Sequence, residues 1–174
     1  MSRKIFRELV SIEEAEKRLR EHFEPRTVGV EKVPLSASYG RVLAEEVTAP
    51  IDVPPFDRSA MDGYAVHAED TYGADEEKPL DLRVIGSIEA GEKPEIVVGR
   101  GEAAEISTGA PIPRGANAVV MVEYALLEGD KLKVFRSVSS GENITPAGSD
   151  IMAGELVLRS GTALTPRESG VLAA

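Results

Sequence analysis

The distribution of apolar positions predicts one amphipathic helix near the start of the chain. Ser11-Ile12-Glu13-Glu14 has the form of a capping box, in which a hydroxyl and a glutamate satisfy free N–H groups at a helix start. Apolar residues then recur at helical spacing up to Pro25, namely at Ile12, Ala15, Leu19 and Phe23. We therefore predict a helix over about residues 12–23 with a charged outer face.

Beyond Pro25 the pattern changes to short segments rich in β-branched residues, each bounded by Gly, Pro or Asp. Two strands are predicted at 28–35 and 41–48, with a turn of helix at 36–39 between them. Further strands are predicted at 80–85, 95–98, 104–106, 118–122, 131–135 and 155–158. Glu128-Gly129-Asp130 predicts a hairpin turn between the strands at 118–122 and 131–135. The fold class is therefore mainly β with short helices (α+β).

The last residues contain a second helix start. Thr165-Pro166-Arg167-Glu168 is a capping box with proline at the first helical position, but the sequence ends at Ala174. Helices this short are marginal on their own. We expect the chain to be the front part of a longer protein, and the alternative is a frayed terminal helix docked on the core.

Composition narrows the possible chemistry. With 174 residues, the chain is long enough for one ordinary domain or two small ones. Hydrophobic residues make up 42% of it, which is enough to form a buried core. A net charge of -10 without a basic cluster argues against nucleic acid and anionic membranes as partners. The absence of cysteine excludes disulfides, thiolate nucleophiles and cysteine-ligated metals. No secretion signal or membrane-length apolar run is present, so we expect a cytoplasmic protein.

Three segments combine carboxylates, hydroxyls and flexible glycines in loop-like contexts. They are PPFDRSAMDGYAV at 54–66, STGAPIP at 107–113 and Gly148-Ser149-Asp150. Such oxygen donors suit Mg²⁺, which prefers carboxylates, water and substrate phosphate. The alternative is that Asp57, Asp62 and Asp150 only cap turns. Composition and spacing leave both interpretations open.

These segments, in this order, resemble the N-terminal region of the MoeA family, the molybdopterin molybdenumtransferases, and the E domain of gephyrin is similar. The resemblance extends from SIEEAEKRL through LSASYGRVLAEEV, GANAVVMVE and GSDI to the last capping box, and so covers nearly the whole chain. It implies two subdomains of coiled, bifurcated β-sheets. Residues 26–47 plus 143–165 would form one subdomain and 48–142 the other, an insert with the cleft loops. Residues 1–25 would pack on a large domain outside this chain, and 166–174 would lead to that domain.

The resemblance also implies a reaction. Family enzymes insert molybdate into adenylated molybdopterin, delivered by the molybdopterin adenylyltransferase, and release AMP with Mg²⁺ present. They are homodimers whose cleft lies between the large domain of one subunit and the β-rich region of the other. This chain would then supply half of the cleft, and we expect negligible activity from it alone.

The site residues implied by the resemblance fall in the three loops. Asp62, Thr108 and Asp150 match the family's catalytic positions, with Asp62 and Asp150 as Mg²⁺ ligands. Substrate and anion binding is expected of Arg58, Ser59, Ser107 and Gly109. Within the first loop we expect Phe56, Met61 and Tyr64 to fill apolar pockets while Asp57, Arg58, Ser59 and Asp62 face the cleft.

One departure concerns the anion. The family commonly has an arginine shortly after the Asn-Ile pair that precedes the GSDI turn, whereas here Asn143-Ile144 is followed by Thr145-Pro146-Ala147. Either Arg58 or a base outside the chain substitutes, or the preference between molybdate and tungstate differs. Two other functions stay open: a non-catalytic scaffold of the gephyrin type, and a simple oxyanion-binding module.

Overall fold

The computed structural model describes residues 9–27 and 29–174. In this part of the chain most of the regular structure is β, which confirms the predicted fold class. Two α-helices, α1 and α2, span Ile12–His22 and Pro166–Ala173. The strands are β1 Val47–Thr48, β2 Arg58–Ser59, β3 Gly63–Val66, β4 Leu80–Ile88, β5 Glu102–Ile106, β6 Ala118–Met121, β7 Ala125–Glu128, β8 Lys131–Val134, β9 Ile144–Thr145 and β10 Leu156–Leu158. Short 3₁₀ helices lie at Leu35–Ala37, Ala68–Thr71 and Val122–Tyr124.

A curled six-stranded sheet occupies the middle of the chain, with strand order β6-β3-β5-β4-β8-β7. Neighbouring strands are antiparallel except for the parallel pair β4 and β5. Gly63-Tyr64-Ala65-Val66 forms β3, which is buried along its whole length. We had expected this tetrapeptide to belong to a loop. That prediction was wrong because a strand covered on both faces shows no polar alternation.

Successive residues of β3 belong to two different cores. Tyr64 and Val66 pack on one side of the sheet with Leu82, Leu132 and Val134, while Ala65 packs on the other with Ile106 and Val119. Gly63 is required for the close approach of β3 to β6, because a Cβ added there would lie 2.0 Å from the carbonyl oxygen of Val120. The sheet therefore buries apolar side chains on both of its faces.

A long antiparallel ribbon forms the second part of the fold, in which residues 143–164 run against residues 40–60. We call this arrangement the ribbon. It consists of the two-residue ladders β1–β10 and β2–β9, with isolated bridges at Val53–Ile151 and Val42–Ala163. The predicted subdomain boundary between 47 and 48 lies inside β1, and residues 48–60 pair with the same partner segment as residues 40–47.

Several predicted strands are not regular strands in the structure. Of 28–35, Val28 lies outside the described residues, 29–34 form no ladder, and the short helix begins at Leu35 rather than Ser36. In 41–48 only β1 and the bridge at Val42 are paired, and in 95–98 only a bridge from Val97 to Arg114.

The predicted hairpin at Glu128-Gly129-Asp130 connects β7 to β8. β7 is an additional strand, since β6 ends at Met121 and a 3₁₀ turn at Val122–Tyr124 separates the two. The pairing of 118–122 with 131–135 was therefore wrong. Residues 118–121 instead pair with β3 in the centre of the sheet.

Both predicted helix starts are present, but only the second has a complete capping box. The Ser11 hydroxyl accepts a hydrogen bond from the Glu14 N–H at 3.2 Å, and α1 has no buried residue. At α2 the Thr165 and Glu168 side chains form a reciprocal capping box, with Glu168 buried. Among the described residues, neither helix is long and apolar enough to cross a membrane.

Candidate functional site

The sheet and the ribbon meet at a junction of three antiparallel segments, which we call the junction. Its central segment is 57–60, with 109–112 on one side and 143–145 on the other. The Ser59 N–H donates to the Ala110 carbonyl at 2.9 Å, and the Ala60 N–H donates to the Asn143 carbonyl at 2.9 Å. The first candidate loop therefore adjoins the second at the junction, and it adjoins the third through the Gly148 N–H, which donates to the Pro54 carbonyl at 2.9 Å.

Asp62 and Thr108 are brought together by the ends of two neighbouring strands. β3 begins at Gly63 and β5 ends at Ile106, and these two residues are directly opposite in the ladder. Residues just outside the ladder consequently lie close together. The carboxylate of Asp62 accepts hydrogen bonds from both the N–H and the hydroxyl of Thr108, each at 2.7 Å.

This pair fixes the protonation state of Asp62. The hydroxyl of Thr108, followed by its N–H, lowers the pKa of the Asp62 carboxyl below its ordinary value, because both donors favour the charged form. Asp62 is therefore ionised at neutral pH, and its remaining oxygen lies at the exposed surface of the loop. The arrangement can orient a hydroxyl, a water or another hydrogen-bond donor.

Ser107 is half-buried, and its hydroxyl donates to the Glu89 carboxylate at 2.7 Å. Glu89 follows the end of β4, and the sequence analysis did not identify it. Glu89 reaches Ser107 because β4 pairs in parallel with β5, which places Ile88 opposite Ile106. No local motif around Glu89 indicates that pairing, so only the tertiary structure shows this contact.

Two predicted anion-binding groups are engaged within the junction itself. Ser59 is 1% exposed, and its hydroxyl donates to the Met61 carbonyl at 2.5 Å. The Gly109 N–H donates to the Ser59 carbonyl at 2.8 Å. The expectation that these groups face a ligand is corrected: they close the turns that hold Asp62 and Thr108. The positive φ of Gly109, 84°, is the conformation this turn needs.

The apolar residues of the first loop are distributed differently from the prediction. Tyr64 is buried in the sheet, as expected, but Phe56 and Met61 are 43% and 42% exposed and fill no apolar pocket completely. Asp57 is exposed, and its carboxylate accepts a hydrogen bond from the Ala147 N–H at 2.8 Å. Asp57 therefore connects the first loop to the turn that precedes Asp150.

Asp150 lies apart from Asp62. Its N–H donates to the Val53 carbonyl at 2.9 Å, at the opposite end of the 53–60 segment from the Ala60–Asn143 bond beside Asp62. Among the described residues, no group of three or more acidic or histidine side chains is arranged to hold a metal. These residues do not fit a shared Mg²⁺ site on Asp62 and Asp150, and we derive no step through that ion.

Arg58 occupies the centre of the junction. It lies directly opposite Thr145 on β9 and forms a bridge with Pro111 on the other side. Its side chain is half-buried, unlike that of its neighbour Ser59, which is fully buried. Because side chains alternate along a strand, Arg58 lies on the face opposite to Ser59.

Fold and junction together define a mainly β module that presents an oxygen-rich polar site on loops between a curled sheet and a ribbon. The chain belongs to the MoeA family. The family description "MoeA N-terminal region (domain I and II)" matches residues 10–174. The family-level resemblance in the sequence is thereby confirmed.

Individual relatives agree with this assignment. The chain is 42% identical to molybdopterin molybdenumtransferase 2 of Mycobacterium tuberculosis over 142 residues, which cover 82% of this chain and 35% of that protein. Two solved structures of the molybdopterin biosynthesis MoeA protein from Pyrococcus horikoshii are similar in fold. One has a TM-score of 0.82 at 39% identity, covering 95% of this chain and 42% of that one. The other has a TM-score of 0.78 at 49% identity, covering 82% and 38%.

The chain thus spans between about a third and about two fifths of the length of these relatives. The family assignment concerns the region that the chain covers.

Proposed function

We propose that this chain is part of a molybdenum cofactor biosynthesis enzyme, a molybdopterin molybdenumtransferase. In this proposal molybdate is inserted into adenylated molybdopterin, AMP is released, and the chain supplies half of the cleft. The observation that supports it most is the Asp62–Thr108 pair, positioned by β3 and β5 in a chain of the MoeA family. The name of the Mycobacterium tuberculosis relative agrees with the proposal.

The pair has a definite chemical character. Both donors of Thr108 are directed at Asp62, so the Thr108 oxygen presents lone pairs and the free Asp62 oxygen presents negative charge. Such a surface accepts hydrogen bonds and does not stabilise an oxyanion directly. We infer that Asp62 and Thr108 orient a donor, either the attacking water or an N–H or O–H group of the substrate, beside the bond that breaks.

Because the pKa of Asp62 is lowered, this carboxylate is a poor general acid and a weak general base at neutral pH. Its role in the proposed reaction is therefore positional. Mg²⁺ belongs to the proposed reaction and would neutralise substrate anions there. The described residues do not provide its ligand set, which the rest of the protein or the substrate would have to complete.

The further parts of the proposal concern the assembly. We propose a cytoplasmic homodimer in which a large domain of the partner subunit completes the cleft, with adenylated molybdopterin supplied by a molybdopterin adenylyltransferase. The net charge of -10 is consistent with a protein that binds neither nucleic acid nor anionic membranes. On this proposal the 174-residue chain alone has negligible transferase activity.

The decisive test measures AMP release and active cofactor formation by the complete gene product from adenylated molybdopterin, molybdate and Mg²⁺. We expect Asp62→Ala to lower the rate about 100-fold or more, because orientation of the reacting donor is lost. Asp81→Ala is a matched control, since Asp81 is an exposed aspartate of β4 whose ion pair with Lys131 lies outside the junction.

The possible results separate the proposals. Unchanged turnover in a folded Asp62→Ala variant would mean that the Asp62–Thr108 pair has only a structural role. A wild-type protein that releases no AMP would favour the scaffold function, for which exposed apolar residues on the ribbon, such as Ile51 and Met152, offer a docking surface. Saturable molybdate binding by a complete gene product that releases no AMP would favour a simple oxyanion-binding module.

A further inference from the structure

Arg58 differs from every other arginine in the described residues. It is the one arginine that is not exposed, and no hydrogen bond or ion pair to its guanidinium is present there. Most of the others form ion pairs with nearby glutamates or aspartates. Arg114 and Arg159, which do not, are exposed.

A half-buried guanidinium without a partner is unfavourable, because partial removal of water is not compensated by an opposite charge. The chain has 30 acidic residues, so partners are abundant in the sequence. The two carboxylates of the same loop are engaged elsewhere, Asp57 with the Ala147 N–H and Asp62 with Thr108. The charge of Arg58 is thus available to a ligand.

The neighbours of Arg58 add a second polar group on the same face. Thr145 lies directly opposite in the antiparallel ladder, where side chains are about 4.5–5.5 Å apart at Cβ. Thr145 is also half-buried, and its hydroxyl makes no side-chain hydrogen bond among the described residues. On the other side, the bridge to Pro111 holds the backbone of Arg58 against a buried proline.

We propose that Arg58 and Thr145 form a subsite for a dianionic oxyanion, either a phosphate group or molybdate. The planar guanidinium donates to two oxygens of one anion, and the threonine hydroxyl donates to a third. The inference rests on the proposed function and deepens it, since it assigns the anionic part of the substrate to Arg58. The Asp62–Thr108 pair, which presents only acceptors, then contacts a different part of the substrate.

The subsite is tested by titration calorimetry of the complete gene product with molybdate, phosphate and AMP in separate experiments. We expect Arg58→Ala to weaken anion binding about tenfold or more. Arg58→Lys should retain part of the affinity, because lysine keeps the positive charge but lacks the planar pair of donors. Thr145→Val should weaken binding less, because one neutral donor is lost. Arg114→Ala and Arg159→Ala are matched controls that change the net charge equally, and both should leave affinity unchanged.

The three ligands identify the source of the anion. Arg58-dependent binding of molybdate but not of AMP indicates the metal oxyanion, and binding of phosphate and AMP indicates the nucleotide phosphate. The proposal is overturned by a wild-type protein that binds none of the three, or by equal weakening in Arg58→Ala and Arg114→Ala. If Arg58→Ala does not fold, Arg58→Lys and Thr145→Val decide, and unchanged affinity in both overturns the subsite.

The result is separable from the transferase proposal because binding requires no turnover. Arg58-dependent anion binding in a protein that releases no AMP would keep the subsite and remove the proposed reaction. Normal AMP release together with an anion affinity that does not depend on Arg58 would support the proposed reaction and rule out the subsite.

Discussion

The sheet and the ribbon are both antiparallel in most of their pairings, yet they reach stability in different ways. In the sheet, consecutive residues pair over whole strands, and side chains such as Leu132 and Val119 are 0% exposed. In the ribbon the ladders are two residues long, and Val42, Ile51 and Met152 are 65%, 54% and 62% exposed. The sheet is stabilised by its own two cores, whereas the ribbon leaves much of its apolar surface uncovered.

This difference matters for the candidate site, because its residues belong to both regions. Asp62 and Thr108 adjoin the ends of β3 and β5 and are held by the sheet. Arg58 and Thr145 belong to the last ladder of the ribbon, and Asp150 lies farther along it. The acceptor pair is therefore the rigid part of the site. The positions of the Arg58 guanidinium and of Asp150 depend on the ribbon, which is less well packed than the sheet.

The largest expected effect is in the sheet. Gly63→Ala places a Cβ 2.0 Å from the Val120 carbonyl oxygen, and since this atom belongs to the backbone, β3 and β6 must separate. We expect the free energy of unfolding to fall by about 3 kcal/mol or more, measured by urea denaturation. In the control Gly170→Ala, the added Cβ of α2 meets no atom within 4 Å, and a small gain of about 0.5–1 kcal/mol is expected. A loss under about 1 kcal/mol in Gly63→Ala would contradict the close packing of β3 on β6.

A comparison of two leucines measures the contrast directly. Leu132 in β8 is 0% exposed and Leu156 in β10 is 38% exposed. Leu132→Ala should lower the free energy of unfolding by about 2–5 kcal/mol, through lost burial and a cavity, and Leu156→Ala by less than about 1 kcal/mol. Equal losses would mean that the ribbon is as well packed as the sheet. Thermal unfolding followed by circular dichroism distinguishes these outcomes.

The accuracy of sequence-based prediction varies within both regions. Predicted strands at 80–85, 131–135 and 155–158 coincide largely with β4, β8 and β10, and both predicted helix starts are present. Local signals were sufficient there, because turn residues bound each segment and caps act within one turn of helix. β3 was missed because GYAV has no polar alternation, and the strands at 28–35 and 95–98 were overestimated because β-branched residues do not ensure a pairing partner.

The candidate site was predictable as a set of residues but not as an arrangement. The sequence indicated Asp62 and Thr108 independently, and the contact between these residues, 46 positions apart, depends on the ladder of β3 with β5. The role of Gly109 and the contact of Glu89 with Ser107 also depend on residues far apart in sequence, whereas the Ser59 hydroxyl bonds to Met61 only two residues away. Hydrogen-bond partners across strands follow from register, which no motif in the three loops specifies.

The smallest expected effect concerns α2, which contacts the 3₁₀ helix Leu35–Ala37 just before the ribbon. Hydrogen bonds from the Thr165 hydroxyl and then from Arg167 lower the pKa of the Glu168 carboxyl to about 2, with the Thr165 N–H adding to the same capping box. A carboxyl whose pKa is lowered in the folded state stabilises that state above its ordinary value of 4.5. The contribution is lost as the pH falls from 4.5 through about 2, because in this range the unfolded state takes up the proton before the folded state does.

We therefore expect the difference in free energy of unfolding between wild type and Glu168→Gln to be constant above about pH 5 and to shrink as the pH falls toward about 2. Urea denaturation at a series of pH values measures this difference, and subtraction removes the titration of the other carboxyls. Glu45→Gln, at an exposed position of the ribbon without a side-chain hydrogen bond among the described residues, should show no such trend. If the difference in free energy of unfolding between wild type and Glu168→Gln is the same at all pH values, the cap stabilises the helix through hydrogen bonds that do not require the charge of Glu168. The charge of Glu168 would then contribute nothing to the stability of the folded state at α2.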